Sequence, residues 1–257
     1  MAEHRLTRSG GIRRAATLAA AGGLGALAVA VLPADGTAST SNSFVGPSAP
    51  TSTVSWRGRV LERTVARRAP RPGARRVKIL KPTAPFAGGG TTLLITGVKS
   101  VDGTPWAEVL LPVRPNGRRG WVPLESLKVS QNKFRISIDL SSHRLTLYRS
   151  GKPVRRVRVA VGKPGTPTPV GNRFAVAENI RTNQPGHFLG PVVFALTGYS
   201  ETLNEFAGGN GRLALHGTSV PRLLGTAASH GCVRMSNRDV LALSRVVRAG
   251  TPVSIRR

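Results

Sequence analysis

The sequence predicts a mainly β protein with a single helix close to its C-terminus. Glycine and proline are frequent, with 30 and 19 residues in a chain of 257, whereas aromatic residues make up 5%. This composition favours short strands joined by turns over long helices. Hydrophobic residues make up 40% of the chain, which is enough for a packed core and excludes general disorder. Short apolar runs separated by turn residues recur from residue 77 onward, and a helical apolar stripe follows residue 236.

The first 38 residues have the order of a secretory signal. Arginines lead into an apolar stretch at 15–32, and small residues follow at 36–39. That order predicts export with cleavage after Ala38. An uncleaved signal-anchor is the alternative, because the apolar stretch is at the lower edge for a membrane span, and only then is membrane contact expected. Either outcome places the rest of the chain outside the cytoplasm, at the membrane or in the cell wall. The leading arginines are Arg5, Arg8, Arg13 and Arg14.

The chain is strongly basic, with 38 Lys and Arg against 11 Asp and Glu and a formal net charge of +27. Such a charge attracts polyanions. Nucleic acid is excluded as a partner, because the arginines are spread along the chain and neither a zinc-finger spacing nor a basic region before heptads is present. The predicted export also argues against nucleic acid as a partner. Anionic polymers of the cell wall are therefore the expected charged partners.

Residues 39–76 separate the leader from the first predicted strand. Up to about residue 55 they are rich in Ser, Thr, Pro and Gly and carry hardly any charge, which is typical of a flexible linker. The remainder is rich in arginine and proline, and no element is predicted there.

Residues 77–131 carry a run of short strands. Turns at Asp102-Gly103 and Pro115-Asn116-Gly117 separate some of them, and a compact five-strand barrel is the simplest closure for that spacing. The run Val109–Gly117, together with Gly120-Trp121-Val122, resembles bacterial SH3-like modules found beside cell-wall enzymes. That resemblance implies either a module that binds wall peptides or a spacer. The strands are predicted at 77–80, 91–98, 106–111 and 120–123.

Residues 132–257 are predicted to form a second, mostly β domain. From Phe134 to Leu140 apolar and polar residues alternate, as in a half-buried strand. One helix comes late: Ser236 is its expected N-cap, Asp239 completes a near capping box, and Gly250 ends it. Its predicted apolar stripe consists of Val240, Leu243, Val246 and Val247. Further strands are predicted at 144–148, 154–161, 174–177, 192–197, 212–215 and 251–255.

Cys232 is the only cysteine of the chain and the strongest candidate for a catalytic residue. Exported proteins usually hold cysteines in pairs as disulfides, which a single thiol cannot form. His230 lies two residues before it and His216 sixteen, and a nucleophilic thiolate needs such a neighbour. A small buried apolar cysteine is the alternative, but His and Gly flank the thiol where a core strand would carry Val or Leu.

His216 follows an apolar strand, whose end can fix its ring opposite the thiol. No carboxylate occurs between Phe206 and Arg238, so a backbone carbonyl is the expected partner for the second ring nitrogen. His216, His230 and Cys232 also offer three zinc ligands. Ligands two residues apart are uncommon and no carboxylate lies near to support them, so neither metal nor cofactor is predicted.

The stretch Asn132–Arg256 resembles the YkuD-type catalytic domain of L,D-transpeptidases. The signature of that family is a histidine, a variable loop and then Ser/Thr-His-Gly-Cys, here His216 and Ser229-His230-Gly231-Cys232. Family-like segments lie around it at 161–169 and 206–218. The resemblance implies a β-sandwich with Cys232 facing a cleft, and transfer of peptidoglycan stem peptides through a thioester in cell-wall synthesis.

The resemblance also implies a role for each residue of the motif. Cys232 attacks the carbonyl of the third stem residue and expels the terminal D-alanine, while His216 transfers protons. The Gly217 carbonyl orients that imidazole. The backbone amides of Gly231 and Cys232 are expected to form the oxyanion hole. Three further residues complete the expected site: Ser229 and His230 shape the cleft, and Arg234 holds a substrate carboxylate or braces the cysteine loop.

The sequence departs from the family pattern at Arg234, where many relatives have Asn, and in one extra residue within Gly171–Phe174. These changes affect substrate fit rather than mechanism. The segment Asn183–Gly190 is expected to be a lid over the cleft, with His187 either on the substrate or in solvent. Alternatives to amine transfer are a carboxypeptidase, in which water resolves the thioester, and a protein-anchoring enzyme. A sortase-like enzyme and a non-catalytic cationic wall-binding protein are also open.

Overall fold

The computed structural model describes residues 46–257, except residues 183, 185 and 207. The predicted leader at 1–38 lies outside this range, as does the first part of the linker. No helix within the described range is long and apolar enough to cross a membrane.

The first half of the described chain forms one antiparallel sheet of seven strands. Their order across the sheet is β3-β2-β6-β5-β4-β1-β7. The strands are β1 Ser55–Val60, β2 Thr64–Arg67, β3 Arg76–Leu80, β4 Thr92–Val101, β5 Thr104–Leu110, β6 Arg119–Pro123 and β7 Leu127–Asn132. Four of them overlap the strands predicted at 77–123. The SH3-like character of this module stays a prediction.

Strands β1 and β2 come from the segment at 55–76 that the sequence left without elements. In β1 the buried positions include Ser55 and Gly58, so no regular alternation of large apolar residues marks the strand. Gly58 is required by close packing, since a Cβ there would lie 2.6 Å from Cδ1 of Leu127 on the neighbouring β7. Tertiary packing therefore creates a strand that hydrophobic periodicity does not indicate.

The second half is mainly β with one helix, as predicted. Eight strands pair in the order β10-β9-β8-β17-β12-β13-β14-β16, and β11 pairs with β15. The strands are β8 Phe134–Asp139, β9 Arg144–Arg149, β10 Lys152–Arg158, β11 Val161–Gly162, β12 Gly171–Arg181, β13 Val192–Tyr199, β14 Arg212–His216, β15 Ala227–Ser229, β16 Val233–Arg234 and β17 Pro252–Arg256. The predicted strand at 154–161 is thus divided between β10 and β11.

The helix α1, Asn237–Ser244, begins where the sequence predicts. The side chain of Ser236 accepts a hydrogen bond from the Asp239 amide at 3.0 Å. It ends six residues before Gly250, because the guanidinium of Arg248 takes up the carbonyls of Ser244 and Arg245 at 2.7 and 2.9 Å. Val246 and Val247 both lie beyond the helix end. Val247 is buried with Val240 and Leu243, whereas Val246 is 37% exposed. Its assignment to the stripe was wrong.

The two sheets are in contact through apolar and polar residues. Leu94 and Leu110 of the first sheet form a small buried cluster with Ala175 of β12. Arg114 donates to the carbonyl of Ser200 at 2.6 Å, and the hydroxyl of Tyr199 donates to the carbonyl of Pro112 at 3.0 Å. The contact fixes the first sheet against β12 and β13, and β13 pairs with β14.

Candidate active site

The structure brings Cys232, His216, His230 and Arg234 to one cavity of about 350 Å³. Strands β13 and β14 supply one wall, and the cysteine segment lies beside β14 because β16 pairs with it in parallel. Cys232 is half-buried, whereas His216 is 3% exposed. Of the predicted site residues, these four border the cavity, and Gly217, Ser229 and Gly231 support them from behind.

His216 is the last residue of β14, held between Val193 of β13 and Arg234 of β16. Its Nδ1 lies 2.6 Å from the carbonyl oxygen of Gly217. A carbonyl only accepts, so Nδ1 carries the proton and Nε2 is the basic nitrogen of the neutral ring. The backbone of Leu189 also hydrogen-bonds His216 and raises its pKa. The sequence predicted a backbone carbonyl in this role, and the geometry agrees.

Gly217 can serve this role only without a side chain. A Cβ at this position would lie 2.2 Å from Oδ1 of Asn237 and 2.9 Å from Cα of Gly190. The same Oδ1 accepts the amide of Thr218 at 3.0 Å, so the first residue of α1 fixes the chain directly after the histidine. Motif spacing gave no indication of Asn237, which comes into the site only through the fold.

The cysteine turn is held by side-chain hydroxyls. Ser229, fully buried, donates to the Cys232 carbonyl at 2.5 Å and accepts the Gly231 amide at 3.1 Å. Thr168 donates to the Gly231 carbonyl at 2.8 Å. Gly231 has φ +114°, a conformation that side-chain-bearing residues rarely adopt. Because its amide bonds Ser229, Gly231 is not a free oxyanion donor in this structure, and the Cys232 amide is the remaining candidate.

Burial sets the charge state of the catalytic pair. Burial lowers the pKa of His216 to about 4. The hydrogen bond to Gly217 raises this pKa, and the charge of Arg234 lowers it. Burial raises the pKa of the Cys232 thiol above its ordinary value. The hydrogen bond from the Ala214 amide and the charge of Arg234 lower this pKa by less than burial raises it. The resting pair at neutral pH is therefore a thiol and a neutral imidazole. The sequence favoured a preformed thiolate, and burial is the reason for the difference.

Alkylation of Cys232 by iodoacetamide is expected to rise with pH and to reach its midpoint above about pH 8.5, the ordinary thiol value. The sign follows from the raised pKa of the thiol, because only the thiolate reacts. The rate is measured by intact mass from pH 5 to 10, with glutathione in the same buffers as the reference. A rate plateau between pH 5 and 8 would show a thiolate–imidazolium pair and contradict the neutral resting state.

Two polar atoms of the site are buried without a hydrogen-bond partner, Nε of Arg234 and Nδ1 of His230. The ring of His230 stacks on Phe206 at a centroid distance of 4.6 Å. Buried polar groups are normally satisfied, so both atoms are exceptions among the described residues. The two roles expected for Arg234, contact with a substrate carboxylate and bracing of the cysteine loop, both stay predictions.

The predicted lid segment borders the cavity through Phe188 and Leu189, while residues 183 and 185 within it lie outside the described range. The ring of His187 is half-buried, stacks on Phe188 and accepts the Leu189 amide at 3.2 Å. Its partners are therefore within the segment itself. Among the residues that the structure describes, no three His, Cys, Asp or Glu side chains gather as a metal site.

The chain is similar in sequence to known proteins. Residues 133–255 match the family model described as the YkuD L,D-transpeptidase catalytic domain. Proteins named as L,D-transpeptidase YkuD from Bacillus licheniformis and Bacillus subtilis are 36% and 31% identical over 122 and 124 residues, or 48% of this chain. The alignments span 65% and 66% of those relatives, just under two thirds of their length.

Solved structures of L,D-transpeptidases are also similar to this chain. The enzyme numbered 3 from Mycobacterium tuberculosis, with a faropenem-derived adduct, is 16% identical, covers 62% of this chain and 98% of its own, and has a TM-score of 0.41. An enzyme from Xylanimonas cellulosilytica is 25% identical, covers 49% of this chain and 61% of its own, and has a TM-score of 0.36.

Proposed function

We propose that this protein cross-links peptidoglycan, because residues 133–255 match the family model of the YkuD L,D-transpeptidase catalytic domain. It forms a Cys232 thioester with a stem tetrapeptide and passes the acyl group to an acceptor amine. The observation that carries the proposal is the placement of Cys232 and His216 at one cavity, with the imidazole oriented by the Gly217 carbonyl. Enzymes of this family are cysteine-dependent acyltransferases.

Acylation begins from the neutral pair. Nε2 of His216 takes the thiol proton as Sγ of Cys232 attacks the carbonyl carbon of the third stem residue. A C–S bond forms, and the carbonyl oxygen becomes an oxyanion. The C–N bond to the terminal D-alanine then breaks, and His216 returns its proton to the leaving amine. The low pKa of His216 keeps the imidazole unprotonated at neutral pH, and the imidazolium formed during the attack gives its proton readily to the leaving amine.

Deacylation runs the same steps in reverse with a new nucleophile. The acceptor amine loses a proton to Nε2 of His216 and attacks the thioester carbonyl, and the C–S bond breaks to regenerate Cys232. The Cys232 amide is the donor we assign to the oxyanion in both halves. A donor of that kind typically contributes about 2.7–4 kcal/mol to the transition state.

The donor stem is held by charge complementarity. Stem peptides carry carboxylates, and the side chains of Arg234 and His230 line the cavity. A carboxylate there would pair with the guanidinium of Arg234 and offset its desolvation. Arg234 acts on both catalytic groups electrostatically, so a bound carboxylate also changes the field around Cys232 and His216.

We propose that the enzyme acts outside the cytoplasm, on the evidence of the leader-like order of residues 1–38. The formal net charge of +27 favours retention near anionic wall polymers. Retention by charge is screened by salt, so extraction of the protein from isolated walls by rising salt concentration is the expected behaviour.

The function is tested with a synthetic disaccharide-tetrapeptide as donor and a second tetrapeptide as acceptor. The expected products are a 3-3 cross-linked dimer and one D-alanine per cross-link, both measured by mass spectrometry. Release of D-alanine without a dimer would instead identify a carboxypeptidase, and transfer only to a protein amine would identify an anchoring enzyme. Absence of both D-alanine release and a carbapenem adduct on Cys232 would contradict the assignment.

A further inference from the structure

Phe86 belongs to the first sheet, on the β3–β4 connection, yet it lines the cavity that holds Cys232. It is 61% exposed, the highest value among the large hydrophobic residues that the structure describes. A phenyl ring left this open contributes little to the core of its own sheet. Exposed apolar rings that face a cavity indicate a binding surface.

A buried carboxylate of the second sheet holds this connection in place. Oε2 of Glu178, on β12, accepts the backbone amides of Phe86 and Ala87 at 2.9 and 3.0 Å. Its Oε1 pairs with Arg212 at 3.3 Å, and Glu178 is 4% exposed. Such charge-assisted hydrogen bonds are stronger than neutral ones. Glu178 therefore fixes the backbone that carries the ring.

The β3–β4 connection is also held by hydrogen bonds between its own residues. The Ala84 amide donates to the Gly89 carbonyl at 2.7 Å, and the Thr91 amide donates to the Pro82 carbonyl at 2.7 Å. The loop thus has a defined shape before any ligand binds. A preformed contact costs less ordering entropy on binding than one that must form with the ligand.

Phe86 lies near β14, the strand that carries His216. The guanidinium carbon of Arg212 lies 5.7 Å from the centre of the Phe86 ring, and Arg212 is the first residue of β14, whereas His216 is the last. Four residues of strand span about 13 Å. The cavity therefore extends along β14 from the catalytic base towards Phe86, and Phe206 and Phe188 also border it.

We infer that Phe86 completes an apolar subsite for the donor stem peptide, so that the first sheet is part of the substrate cleft. This inference rests on the proposed function. The aliphatic part of the stem lies against Phe86, while its carboxylates face Arg234 and His230 of the same cavity. The subsite gives the first sheet a role distinct from an independent wall-binding module and from a spacer.

The test compares Phe86→Ala with Leu61→Ala. Leu61 is a matched control because it is 49% exposed, belongs to the same half of the chain and does not border the cavity. With the tetrapeptide donor, Phe86→Ala is expected to lower kcat/KM roughly tenfold, mainly through KM, since apolar contact with the bound stem is lost. Phe86→Leu restores most of the loss, and Leu61→Ala leaves the kinetics unchanged.

A second variant tests whether Glu178 holds the β3–β4 connection in place. Glu178→Gln keeps an acceptor oxygen but removes the charge that holds the loop and pairs with Arg212. As a positioning residue, Glu178 acts through Phe86, so this variant also raises KM. Combined with Phe86→Ala it is expected to add little, whereas a merely structural role gives losses that add. Iodoacetamide alkylation of Cys232 stays within about twofold in all variants, because the catalytic pair is unchanged.

Equal kinetics for wild type and Phe86→Ala would overturn the inference while leaving the transpeptidase assignment intact. The same holds if Leu61→Ala is as impaired as Phe86→Ala, or if alkylation falls in step with turnover, since the effect is then on folding. A wild-type protein that neither releases D-alanine nor forms an adduct contradicts the proposed function itself, and the subsite with it.

Discussion

Replacing Cys232 with alanine is expected to abolish turnover, lowering D-alanine release by roughly a thousandfold or more. The chain has one cysteine, so no other thiol can take over the attack. A carbapenem is expected to form a covalent adduct with the wild type and none with this variant, measured as intact mass. The substitution removes one half-buried sulfur atom, and the thermal unfolding midpoint should change little.

The Cys232→Ser variant serves as the conservative control. A hydroxyl in the same cavity ionises far less readily than a thiol, so turnover stays low although the shape of the site is kept. A carbapenem adduct that persists in Cys232→Ala would show another nucleophile and contradict the assignment. Cross-linking that persists in Cys232→Ala would also contradict the assignment, with or without an adduct.

Replacing His216 with asparagine is expected to lower kcat by about a hundred- to ten-thousandfold, because the variant lacks the base that we propose takes the thiol proton. Burial keeps the imidazole neutral, which fits it to act as a base at neutral pH. Asparagine offers an amide at this position but no basic nitrogen. Steady-state kinetics with the tetrapeptide donor provide the measurement, and partial recovery of acylation is expected above pH 9, where the thiol ionises by itself.

His143→Asn is the matched control for that variant. His143 lies in the turn between β8 and β9 with φ +51°, a conformation that asparagine tolerates well, and it does not border the cavity. Its kinetics should equal those of the wild type. Retention of full kcat in His216→Asn at pH 7 would mean that another base serves Cys232, and the proposed proton transfers would then be wrong.

The parts of the fold that the sequence predicts well are those with a local cause. Alternation from Phe134 to Leu140 marks β8, and Ser236 with Asp239 marks the start of α1. The prediction fails where the cause is distant. Strand β1 has glycine at a buried position because Leu127 packs there, and α1 ends early because Arg248 folds back onto its last carbonyls.

The candidate site divides in the same way. Cys232 and His216 were found because they are spaced as a motif, and the fold brings them to one cavity. Thr168 and Asn237 were not predicted to support the site, since neither a threonine in a loop nor an asparagine at the start of a helix carries a local pattern for such a role. Phe86 and Glu178 lie 92 residues apart in the chain, and only their hydrogen bond reveals the connection.

The sequence by itself determined the mainly β class, the candidate nucleophile and base, and the backbone carbonyl that holds the ring of that base. Those features depend on residue type and on spacing within one segment. Only the tertiary structure decided that the resting pair is neutral, because burial sets the pKa of His216 and Cys232. It alone also left Arg234 without a partner and brought Phe86 to the cavity wall, since desolvation and long-range contact arise only when the chain is folded.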